Sequence, residues 1–199
     1  MGSNARQSNQ LTGIKKMKIT DLVLAISATP KKADVRYYLN GILITNTCIV
    51  ASDGHRLVRI KREDDNTMPD GLEKIIIPLE DIKNFIKKFN KKEQERYFEV
   101  VKLGNSYALQ HGNAIEVFEP IDHGYPDFSK VFDKIEAERL ERNSDNSDNH
   151  YDYEYLGAAQ KAINVYLRSD TPKRFFRRDT LGYFEPVEDI IYIVMPCRI

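Results

Sequence analysis

Ser52-Asp53-Gly54-His55-Arg56 sets a hydroxyl, a carboxylate, an imidazole and a guanidinium within five residues. Such a group could do general-base chemistry, with Asp53 orienting His55 toward a nucleophile. The nucleophile is the weak point, because Ser52 sits in the same short turn with no reason to face the ring. Asp-Gly between two apolar runs is better explained as a hairpin signal. Gly54 tolerates positive φ, and the Asp53 carboxylate can bond the turn's own backbone. His55, His111, His123 and His150 show no ligand spacing, and Cys48 and Cys197 form no C-x-x-C pair. No catalytic residue, metal or cofactor follows, so the chain is expected not to be an enzyme. A hydrolase built on His55 would require turnover that vanishes in His55→Ala.

Cationic residues offer a second chemistry. From Pro78 to about Asn90, Ile82, Phe85, Ile86 and Phe89 recur at the spacing of one buried helical face. Lys83 and Lys87 lie on another face, extended by Lys88, Lys91 and Lys92; such a row can hold phosphates or simply face water. Lys161 and Arg168 on a later helix, and Lys31, Lys32 and Arg36 beside Tyr37 and Tyr38, are further candidates. In a strand, Tyr37 and Tyr38 would point to opposite faces, so only one could touch a ligand. The 30 Lys and Arg are matched by 30 Asp and Glu, and any polyanion must be held by local placement rather than bulk charge.

The elements that must position these groups form three similar units, each a strand, a helix and further strands. The first has a strand at Ile14–Ile19, a helix capped by Thr20 or Asp21 and stopped near Pro30, then strands around Tyr37, Ile49 and Leu57. The second has a strand at Lys74 and the helix from Pro78, with proline in its first turn. Strands Tyr97–Leu103, Tyr107–His111 and Ala114–Pro120 follow, turned by Gly104-Asn105 and Gly112-Asn113. The third has a strand at Tyr151, a helix from about Leu156 to Leu167, and strands at Phe175, Tyr183 and Ile190–Met195, where Pro196 ends pairing. The expected boundaries are a tail over 1–13, a full domain over 14–133, a linker over 134–150 and a half-domain over 151–199. Within that linker IEAERLER could be helical, whereas NSDNSDN is too polar to bury anything. With 41% hydrophobic residues, two unpaired cysteines and no apolar run of membrane length, the expected setting is the cytoplasm.

Three segments carry a family resemblance. RYYLNG from Arg36, DGHRL from Asp53 and the terminal MPCRI from Met195 recur in that order in the bacterial sliding clamp, the β subunit of the replicative DNA polymerase; YPDFSKV is similar to its PDYxxV stretch. The resemblance implies an α+β DNA-clamp fold of repeated strand-helix-strands units, with helices lining a ring and sheets outside. Residues 14–133 resemble the second clamp domain and 151–199 the last half of the third. It also implies a hydrophobic peptide-binding cleft made by Leu39, Ser52, Gly54, His55, Arg56, Leu57, Pro126, Val131, Ile193, Met195, Pro196, Cys197 and Arg198. Leu39, Leu57, Val131 and Met195 would form its apolar walls, with Arg56 and Arg198 at the rim. Cys197 stands where the family carries a larger methionine, which would shift partner preference. The basic residues named above would approach duplex DNA through its phosphates, without reading sequence.

Family rings hold twelve such units, so three per chain imply a homotetramer. Twelve helices spaced about 10 Å apart enclose a clear bore of about 28 Å, whereas nine leave about 19 Å. The implied partners are double-stranded DNA, a DNA polymerase or other protein tethered by a short apolar peptide, other copies of the chain, and a clamp loader if loading requires one. The shortened pattern points to a phage, plasmid or other mobile element. The alternative is a clamp-derived regulator or decoy that keeps the cleft without encircling DNA.

Overall fold

A computed structural model describes residues 17–62, 68–140, 149–177 and 181–197. The expected tail, residues 143–148 of the NSDNSDN segment and Arg198 lie outside them. The first unit contains α1 (Ile19–Ile26), β1 (Gly41–Thr45), β2 (Cys48–Ser52) and β3 (Arg56–Lys61). The second contains β4 (Lys74–Pro78), α2 (Leu79–Lys87), β5 (Glu99–Leu103), β6 (Ser106–His111) and β7 (Ala114–Phe118). After α3 (Ser129–Leu140), the third contains α4 (Tyr153–Leu167), β8 (Phe175–Arg177), β9 (Gly182–Val187) and β10 (Ile190–Val194).

The strands form an antiparallel seven-stranded sheet, β4-β1-β2-β3-β10-β9-β8, and a three-stranded sheet, β5-β6-β7. The long sheet draws strands from all three units, because β4 pairs with β1 and β10 pairs along β3 with Ile191 opposite Arg59 and Ile193 opposite Leu57. Alternate residues of a strand face opposite sides, and here both sides are apolar. Ile42, Ile44, Ile49, Val58 and Tyr192 join the main core with α1, α2 and α4. Leu43, Cys48, Val50, Tyr183, Ile191 and Ile193 face the other way, toward Ile121, Tyr125, Phe128, Phe132 and Ile135. Burial on both faces explains why β1, β2 and β10 are almost continuously hydrophobic. No helix among the described residues is long and apolar enough to cross a membrane.

Several elements differ from expectation. The strand expected at Ile14–Ile19 survives, among the described residues, only as a bridge between Lys18 and Tyr97. Helix α1 begins at Ile19, and Asp21, inside its first turn, accepts from the Lys18 N–H at 2.8 Å. Tyr37–Asn40 is a 3-10 turn rather than a strand. Asn40 brackets Asp34, accepting from its N–H at 2.8 Å and donating to its carbonyl at 2.9 Å, and these local bonds compete with strand pairing. Tyr151 precedes α4 without forming a strand, because the Asp152 carboxylate caps the helix by accepting from the Glu154 N–H at 2.7 Å. Residues 134–140 continue α3, with Phe132 and Ile135 buried on the sheet, so the expected 133/134 boundary falls inside a helix.

Candidate functional site

The β2–β3 turn is built from its own side chains. Gly54 takes φ 88°. The buried Asp53 carboxylate accepts from the N–H groups of His55 (2.9 Å) and Arg56 (2.7 Å), and from Arg56 Nε (2.9 Å) and Nη2 (2.6 Å). Arg56 also donates to the Thr29 carbonyl at 3.3 Å and lies 4.8 Å from the centroid of the Tyr155 ring. At 3% exposure, Arg56 is the inner support of the turn rather than a group on the rim. The Ser52 hydroxyl donates to the Arg56 carbonyl at 2.8 Å and accepts from the Gly54 N–H at 3.0 Å, so it serves the turn.

Residues 195–197 dock beside this turn. Met195 N–H donates to the His55 carbonyl at 2.8 Å, and Cys197 N–H donates to the His150 carbonyl at 2.7 Å. Gly54, His55, Met195, Pro196 and Cys197 therefore line one cleft of about 810 Å3, completed by Asn149, Asp152 and Tyr155. The His55 and Tyr155 rings lie 5.8 Å apart. Nothing in the sequence tied Tyr155 to the turn, because its place depends on the Asp152 cap that starts α4 there. Leu57, Val131 and Ile193 assemble separately, in the outer apolar cluster with Phe128 and Phe132. Leu39 is buried, Pro126 is exposed, and Cys197 is exposed as a free thiol.

On the helical side, Lys91, Lys92, Lys161 and Arg168 come together around a groove of about 1010 Å3 between α1, α4 and residues 91–95. Other basic candidates are engaged elsewhere. Lys88 pairs with Glu116 at 2.7 Å and donates to the Ile115 carbonyl, Lys31 pairs with Glu154 at 3.6 Å, and Lys87 donates to Asn84 at 3.3 Å. Arg36 grips Asp34, holding that carboxyl down at about 2. Lys83 is half-buried and Lys32 exposed. Tyr37 and Tyr38 do not diverge to opposite faces. Both turn to His123, Tyr38 stacked on it at 4.9 Å and Tyr37 edge-on at 4.9 Å. Beside the groove, Asp21 accepts from the Tyr166 hydroxyl at 2.9 Å, and burial raises its carboxyl to about 6. Among the described residues no group of three His, Cys, Asp or Glu could hold a metal ion.

Repeated helix-bearing units, with α1, α2 and α4 on one face of antiparallel sheets, are the arrangement of the DNA sliding-clamp fold. Solved clamps superpose on nearly the whole chain. The DNA polymerase sliding clamp of Pseudomonas aeruginosa matches with TM-score 0.64 at 19% identity, over 96% of this chain and 70% of its own. The Bacillus subtilis sliding clamp gives 0.63 at 13%, over 96% and 65%, and the Thermotoga maritima DNA polymerase III β subunit 0.59 at 18%, over 94% and 66%. Identity this low establishes the fold alone, and the chain spans about two thirds of each clamp. Neither a family model nor a curated protein matches the sequence.

Proposed function

We propose that this protein is a sliding DNA clamp, a non-enzymatic processivity factor that encircles duplex DNA and tethers a DNA polymerase or another DNA-acting protein. The observation that carries the reading is the β3–β10 pairing, which sets the third unit edge to edge with the first and brings α1 and α4 into contact. Repeating that junction between units would build a wall with α1, α2 and α4 on one side. Three units per chain then close a bore wide enough for DNA in a homotetramer, by head-to-tail contacts. Lys91, Lys92, Lys161 and Arg168 would meet phosphates on the helical side. The cleft at His55, Tyr155 and Met195 would take an apolar partner peptide, with methionine adapting to its shape. Such a protein works where the DNA is, in the cytoplasm of a bacterial cell. Light scattering is the first test: four copies of the 23.1 kDa chain support the ring, and a stable monomer or dimer removes it.

A second reading has its own support, since Lys31, Arg36, Lys88 and Arg168 each face a carboxylate partner. A decoy that binds replication-factor peptides without encircling DNA would need no free cationic face. Neutralising Lys91, Lys92 and Lys161 abolishes DNA retention in a clamp and changes nothing in a decoy.

A further inference from the structure

The floor of the groove between α1 and α4 is unlike its rim. Val165 stands 57% exposed there. Val23 and Ala162 lie half-buried beside it, and a Cβ added at Gly157 would meet no atom within 4 Å. Around this apolar floor Lys91, Lys92, Lys161 and Arg168 outnumber Glu95 and Asp170, and Glu95 already faces Lys18 (3.5 Å) and Arg168 (3.2 Å). A phosphodiester backbone uses such a rim but gains nothing from exposed valine. An α-helix with an apolar stripe flanked by carboxylates uses both, seated as a third helix between two others. From this charge and shape complementarity we infer that the groove docks an acidic amphipathic helix of a partner protein. The site goes beyond the ring, and a docked helix would compete with DNA for the same lysines. Residues 1–16 are not the occupant, because they carry Arg6, Lys15 and Lys16 and no carboxylate side chain.

The probe is a fluorescein-labelled Glu/Leu peptide of about 15 residues with leucines at helical spacing, compared with a scrambled peptide of the same composition. By anisotropy against the full chain, the patterned peptide binds at least about tenfold more tightly than the scrambled one. Val165→Asp and Lys161→Glu, both at exposed positions and checked for fold by circular dichroism, each weaken it by about tenfold or more. Val165→Ala weakens the helix severalfold while duplex binding stays within about twofold. Equal binding of the two peptides, or no effect of Val165→Asp, overturns the inference. A parallel loss of DNA binding in Val165→Ala would assign the floor to nucleic acid and also overturn it. Self-association abolished by Val165→Asp would do the same, by giving the groove to a second copy.

Discussion

Leu57 of β3 lies directly opposite Ile193 of β10, although most of the chain separates them. Their side chains enter the same outer apolar cluster, in which Ile193 is fully buried. The pair thus welds the third unit to the first, and truncating it strains the whole assembly. Ile193→Ala is expected to cost about 3 kcal/mol, the usual cost of a buried isoleucine truncation that leaves a cavity. Urea unfolding checks this; a loss below about 1 kcal/mol would mean that the junction contributes little.

Asp21 makes stability depend on pH. Its folded pKa, about 6, lies above the ordinary carboxyl value of 3.8 because burial disfavours the charged form. The folded state therefore holds the proton more tightly than the unfolded chain. The stability contributed is fully present below about 3.8 and lost as pH rises through about 6, on the order of 3 kcal/mol in all. Relative to Asp21→Asn, the wild type should gain stability on acidification across that window in denaturant titrations. Parallel profiles for the two proteins would contradict this.

The turn should be more sensitive at Arg56 than at Gly54. Arg56→Ala leaves the Asp53 carboxylate buried without its guanidinium partner, at a cost of about 3–5 kcal/mol. Gly54→Ala puts a Cβ at φ 88°, 2.6 Å from Arg36 Nη1. The Arg36 side chain is partly exposed and can move, which leaves mainly the backbone strain of about 1–2 kcal/mol. Thermal melts of the two variants test the order.

The cationic face should be uneven. Lys91→Ala and Lys161→Ala should each lower the slope of log affinity against log salt by about one. Lys88→Ala should change it less, because Lys88 already faces Glu116 at 2.7 Å. Duplex binding measured across a salt series distinguishes them.

Much of this was legible from residue patterns. The Asp53-Gly54 turn, the α2 face of Ile82 and Phe85, and the meeting of Met195 with His55 follow from turn chemistry, helical spacing and the resemblance. What was not legible depended on local polar bonds or on burial across the sheet. Asn40 curls the tyrosine segment into a turn, and Asp152 starts α4 early enough to place Tyr155 at the cleft. Phe132 and Ile135 pin α3 to a sheet face whose apolar character shows only once β3 and β10 are paired. Arg56 looked available because nothing local reveals that Asp53 and Thr29 enclose it.

The most direct test of the proposed clamp function is retention on DNA of different topology. The protein is assembled on a nicked circular plasmid, with a loader if one is required, challenged with high salt, and the plasmid is then cut at a single site. A protein that encircles DNA stays on the circle and leaves once the DNA is linear. Equal retention before and after cutting would contradict encirclement.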